Sequence, residues 1–303
     1  MMQVNENVKN LVIDLVRLAT TDLPEDVEKS LRERTTLETG VAKDIMDSII
    51  VNFETARNTS TVMCQDTGYP IFFVKIGENY PFDKLKSLKL SIQKGLEEAT
   101  TQVPVRPNTV NVMTGKNPGN NTGYLAPFIN IDLIEDADYL EIAYFPKGGG
   151  SENMSSLSML KPGQGIKGIK EAVLKTVINA HSGQPCNPII VSVGVGGGAD
   201  IALKIAKKSI LYRKVGERHP NPEIAAMEVE LLEAINKIGY GPMGLGGKTT
   251  AYDVFVEFGM RHPASLPVGV LIQCWANRRA IARLYPDDRV EYLSHKVEPV
   301  MTH

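Results

Sequence analysis

The chain has 303 residues, 33 Lys and Arg against 35 Asp and Glu, a formal net charge of −2, and 43% hydrophobic and 22% charged residues. That is ordinary globular composition, and the balanced charge lacks the basic excess of a nucleic-acid binder. No apolar run approaches the roughly 20 residues that span a bilayer, the opening MMQVNENVKN has no apolar signal region, and three cysteines are too few for a disulfide scaffold, so a cytoplasmic protein with no nucleic-acid or membrane partner is expected.

In chain order, Val8, Leu11, Val12, Leu15, Val16 and Ala19 recur at helical spacing. A second helix is predicted over 37–53, with Val41, Ile45, Ile49 and Ile50 as its apolar stripe. Together they make an N-terminal helical part over about residues 1–60. Residues 70–77 (PIFFVKIG) are short, apolar and aromatic between turn residues, a strand pattern. Helix returns over 85–100, and residues 103–130, rich in Pro, Gly and Asn, read as a long loop of the kind that often carries function.

Residues 139–145 and 189–193 are predicted strands, each running into a glycine cluster. Asn221-Pro222-Glu223 has the cap, the proline and the early acid of a helix start. Ile224, Met227, Leu231, Ile235 and Ile238 keep one face of that helix apolar until Gly239 and Gly241. Residues 254–258 and 268–273 are late strands. Helices and short strands interleave without repeat or linker, which predicts a mixed α+β or α/β fold in a single domain over 1–303.

Three glycine clusters invite an anion-binding reading. Gly194-Val-Gly196-Gly-Gly-Ala199 fits a loose G-x-G-x-x-A turn with Glu217 about 20 residues on, as in a dinucleotide-binding oxidoreductase. But Glu217 sits in RKVGERHPNP, which does not read as the end of a second strand, so a tight strand-to-helix turn is the expected reading. GPMGLGGKTT fails as a phosphate loop, because Pro242 stands where the first glycine is required. In Lys147-Gly-Gly149-Gly150-Ser151-Glu-Asn, backbone N–H groups with Lys147 and Ser151 form either an anion cradle or a surface turn. Cys64, Cys186 and Cys274 have no zinc or ferredoxin spacing, yet each lies where an apolar run meets turn or polar residues.

CQDTG (64–68), GKNPGNNTG (115–123), KGGGSEN (147–153), PCNP (185–188), RHPNP (218–222), GLGGKTT (244–250) and QCWANRR (273–279) occur in this order. The set resembles the α subunit of the iron–sulfur class I fumarate hydratases and its relative, the L-tartrate dehydratase α subunit. The resemblance implies a [4Fe–4S] cluster held by Cys64, Cys186 and Cys274. Three thiolates leave one iron without a protein ligand, a Lewis acid for the C2 hydroxyl of malate. It implies catalytic acid/base work for Asp66, which by itself reads as a turn-capping aspartate. It also implies a catalytic role for His262, twelve residues before Cys274. Gln65, Asp66, Arg106, Lys147, Gly149, Gly150 and Ser151 are then the substrate-binding set, with Arg106 forking onto a carboxylate.

Single-chain members of that family carry a further region with more basic groups and a proposed threonine base, whereas this chain stops at His303. A small dicarboxylate near charge −2 needs several donors, so half of an active site is expected here. A separate β subunit would complete it in an α2β2 assembly. KGGGSEN and GLGGKTT are fumarase-like and favour interconversion of malate with fumarate, with tartrate dehydration as the alternative. A non-catalytic subunit is the reading from another class.

Overall fold

The computed structural model describes residues 3–180 and 185–297. Its elements are α1 (Glu6–Thr21), α2 (Glu25–Thr35), α3 (Gly40–Thr59), β1 (Tyr69–Gly77), α4 (Leu88–Gln102), β2 (Phe128–Ile134), β3 (Leu140–Lys147), α5 (Gly149–Glu152), β4 (Ser156–Leu160), α6 (Gly165–Ala180), β5 (Ile189–Gly197), α7 (Ala199–Tyr212), α8 (Pro222–Lys237), β6 (Ala251–Arg261), β7 (Leu266–Gln273), β8 (Ala280–Leu284) and β9 (Val290–Tyr292). The mixed α and β class predicted from the interleaved patterns is the one observed. Two compact units make up the chain, one of residues 1–25, 52–147 and 278–303, the other of 26–51 and 148–277.

The first unit is built on a five-stranded sheet in the order β2-β1-β3-β8-β9. β1 runs parallel to β2 and antiparallel to β3, with Tyr69 opposite Lys147. The predicted stripe of α1 is its buried face, which packs with Ile92 and Leu96 of α4 on Phe72, Val74, Leu140, Ile142 and Tyr144 of the sheet. The Asn5 side chain accepts the N–H groups of Asn7 and Val8 at the start of α1, a cap worth about 1 kcal/mol. An apolar cleft between α4 and β2 is lined by Leu85, Leu88, Ile129 and Ile131 and holds none of the candidate site residues.

A four-stranded sheet, β4-β7-β5-β6, organises the second unit. α6 and α8 cover one face through Val173, Val177, Leu231 and Ile235 against Val191, Val193, Val254, Val268 and Val270. α7 lies so close to the sheet that a side chain at Gly194 would run into the Ala202 carbonyl and Ile205. Gly194 and Gly197 therefore serve close strand–helix packing and Gly196 close approach to Gly259 of β6, and Glu217 falls in the connection before α8 rather than at a strand end. Among the described residues no helix is long and apolar enough to cross a membrane.

Candidate active site

In the first unit, CQDTG joins α3 to β1, and its order comes from the loop predicted over 103–130. Thr67 is buried. Its hydroxyl accepts the Arg106 N–H at 3.0 Å and Asn108 Nδ2 at 3.0 Å, and donates to the Arg106 carbonyl at 3.3 Å. Asn121, from the NNTG end of that loop, accepts the Asn108 N–H at 2.7 Å and donates to the Arg106 carbonyl at 3.0 Å. Two segments some forty residues apart are thus tied through side chain–backbone bonds, which is how a Pro/Gly/Asn-rich stretch without regular structure satisfies its backbone.

This network sets out the candidate side chains. The Asp66 carboxylate accepts the Gly68 N–H at 2.9 Å, an Asx turn that leaves its other oxygen outside that bond. Gly68 has φ +86, and a Cβ there would approach the Pro146 carbonyl carbon to 2.6 Å, so the turn is specific to glycine. The turn-capping reading of Asp66 is therefore correct, and it also fixes where the carboxylate stands. Gln65 and Arg106 are exposed, with Arg106 Nη1 3.4 Å from the Gln65 carbonyl. Lys147, buried at the end of β3, is paired opposite Tyr69, the residue after the turn. Arg278, which sequence reasoning did not single out, is 1% exposed and donates to the Asp66 carbonyl. The first unit thus groups Gln65, Asp66, Arg106, Lys147 and Arg278 around one turn.

The second unit joins the remaining motifs. The Trp275 N–H donates to the Cys186 carbonyl at 3.1 Å, bringing the PCNP and QCWANRR segments together. Gln273, before Cys274, accepts from the buried Ser151 hydroxyl at 3.3 Å, so the KGGGSEN turn is held against the same strand end. Gly149 and Gly150 begin the four-residue α5 there. Asn187 links PCNP to the Gly241 carbonyl at 3.3 Å. In GLGGKTT the Lys248 N–H donates to both Glu38 oxygens at 3.0 Å. A phosphate loop needs its N–H groups for the ligand, so a carboxylate in that place agrees with the failed register.

His262 is exposed at the turn between β6 and β7, where its Nδ1 accepts the Ala264 N–H at 3.1 Å. Cys274 follows the opposite end of β7, whose 8 residues span about 26 Å at roughly 3.3 Å each, so the second unit does not bring the two together. RHPNP serves the fold. Arg218 pairs with buried Asp253 at 2.7 Å, His219 donates its N–H to buried Glu228 at 3.0 Å, and Asn221 caps α8. Burial pushes the Asp253 carboxyl above the usual range, against the Gly216 N–H and Arg218.

Cys64 and Cys274 are half-buried, Cys186 is exposed, and none forms a disulfide. Within neither unit do three or more His, Cys, Asp or Glu of the described residues form a group able to hold a metal ion. The first unit carries Cys64, and the second carries Cys186 and Cys274. As a donor set, three thiols at the edges of ordered turns suit an iron–sulfur cluster, which takes thiolate ligands.

The model of the fumarate hydratase (Fumerase) family matches residues 9–283. A Methanocaldococcus jannaschii protein provisionally named L(+)-tartrate dehydratase subunit alpha is 50% identical over 285 residues, covering 93% of this chain and 99% of its own. Proteins named L(+)-tartrate dehydratase subunit alpha from Escherichia coli K12 and Shigella sonnei are each 34% identical over 294 residues, covering 97% of this chain and 96% of theirs.

Proposed function

Because the chain belongs to the fumarate hydratase (Fumerase) family, we propose that it is the α subunit of a cytoplasmic [4Fe–4S] hydro-lyase acting on a small 2-hydroxy dicarboxylate. The observation that carries this reading is the grouping of an acid, Asp66, with the cationic Arg106, Lys147 and Arg278 at one glycine-dependent turn. L-Tartrate, dehydrated to oxaloacetate, is the first substrate to test, since the relatives are named for it. This reverses the order expected from the KGGGSEN and GLGGKTT motifs. Malate and fumarate form the second reading, supported by the family's description. The same relatives are named as alpha subunits, which supports a β subunit as partner in an α2β2 assembly.

Cys64, Cys186 and Cys274 would hold the cluster. When bound, it supplies a Lewis acid for the substrate hydroxyl. The chain's own groups do the rest. Arg106 forks onto one substrate carboxylate, and Gln65 offers an amide N–H to the same end. Lys147 adds a second positive charge from the end of β3, and Gly149, Gly150 and Ser151 supply donors from the α5 turn. Asp66, held by the Gly68 N–H, exchanges the proton of the leaving water. His262, separated from Cys274 by the length of β7, serves the site of a second copy. Mixing D66N and H262N complexes and exchanging their subunits would then restore activity that neither has alone.

Anaerobic reconstitution with the β subunit tests the whole reading. About four iron and four sulfide per chain, and turnover of L-tartrate ahead of L-malate, are expected. Bound iron near zero, or a Cys64→Ser complex with full activity, would overturn it in favour of a non-catalytic subunit.

A further inference from the structure

Arg278 is the largest fully buried side chain among the described residues, 1% exposed. Its guanidinium donates through Nη1 to the Asp66 carbonyl, while its buried Nε has no hydrogen-bond partner. No carboxylate among the described residues forms an ion pair with it. Of the four buried acids among the described residues, Glu38 accepts the Lys248 N–H and the other three meet cations. Glu228 meets Arg213 and Arg218, Asp253 meets Arg218, and Glu141 meets Lys75 and Arg283. A buried cation without a counter-charge is costly, and an apolar side chain of similar volume commonly gives a fold at least as stable. Tyr144 on β3 feels this charge. Burial pushes its phenol up and Arg278 pulls it back.

We propose that Arg278 is a positioning residue of the hydro-lyase site. It holds the peptide of Asp66 in place, and its positive charge, which no carboxylate among the described residues pairs with, favours an anionic dicarboxylate at that turn. At about 6 Å and an effective dielectric near 20, one such charge is worth about a hundredfold in affinity for an anion. The inference rests on the hydro-lyase reading for its activity arm only.

Two variants separate the roles. R278M removes charge and hydrogen bond, and R278Q removes the charge while keeping a donor for the Asp66 carbonyl. In the αβ complex R278M should lower kcat/KM for the dianionic substrate about a hundredfold, with at least tenfold of it in KM, and R278K should recover most of the KM change. The unliganded full chain carrying R278M should melt within about 2 °C of wild type, or above it. Succinate should raise the melting temperature of the wild-type full chain, R278M and R278Q should lose that shift, and dimethyl succinate should give none in any of them. Unchanged kcat/KM in R278M, an unchanged succinate shift, or failure of both neutral variants to fold would overturn the proposal, the last because the charge would then serve the fold. If the wild-type complex turns over neither L-tartrate nor L-malate, the hydro-lyase reading fails, while the succinate arm still decides the role of Arg278.

Discussion

Replacing Thr67 by valine keeps the shape and branching of a buried side chain and deletes one hydroxyl. That hydroxyl accepts both the Arg106 N–H and Asn108 Nδ2, each at 3.0 Å. Valine leaves the two donors without an acceptor, at about 1–3 kcal/mol for a buried group. Since this region is half-buried and water reaches part of it, about 3 kcal/mol for the pair is the working figure. For a chain of this size that lowers the melting temperature by roughly 5 °C. Thermal unfolding of wild type, T67V, T67S and N108A, with the T67V/N108A double variant, checks it. T67S should stay near wild type because it keeps the hydroxyl. The double variant should cost less than the two single changes added together, because the donors and acceptor share one network. A T67V protein melting within about 1 °C of wild type, or strict additivity in the cycle, would refute the role given to Thr67 in ordering the loop that carries Arg106.

Asp66→Asn keeps the turn's acceptor oxygen and removes the acid, so in the reconstituted complex kcat should fall by about 10²–10⁴ with little change in melting temperature; retained activity would exclude Asp66 as the acid/base. His295 is buried, and desolvation, opposed by Asp22 and reinforced by Arg279, pulls its imidazole down to about 4. Its folded value lies below the unfolded one near 6.5, so its contribution is fully present above about pH 6.5 and is lost as pH falls toward 4, by roughly 3 kcal/mol at most. Urea unfolding from pH 7.5 to 4.5 should show that slope, and H295F should flatten it. Arg218→Met leaves buried Asp253 without its ion-pair partner, a change that costs about 3 kcal/mol or more. A calorimetric melting temperature matching wild type would mean that the pair adds nothing to the fold.

Local patterns carried much of the architecture. The stripe from Val8 to Ala19 is the buried face of α1, and Asn221-Pro222-Glu223 starts α8 with the Asn221 side chain capping it. Both are legible because helix periodicity and capping act within a few residues. β2, whose first three residues lie at the end of the predicted loop, was not predicted as a strand, since it is an edge strand whose Ile131 and Leu133 are 57% and 79% exposed and whose pairing partner lies far back in β1. α2, with only Val27, Leu31 and Thr35 buried in a highly charged segment, offered little periodic signal.

The sequence alone determined which residue types the site draws on, because its turns need Gly68, Asn121 and Thr67 at particular places in the chain. Tertiary structure alone decided that Arg278 meets the Asp66 carbonyl across 212 residues of chain, that His262 and Cys274 stand at opposite ends of β7, and that GLGGKTT receives a carboxylate from Glu38 instead of a phosphate. Hydrogen bonds and buried charges of this kind depend on which segments meet in space, and residue spacing along a chain encodes that only where the partners lie within a turn or two of each other.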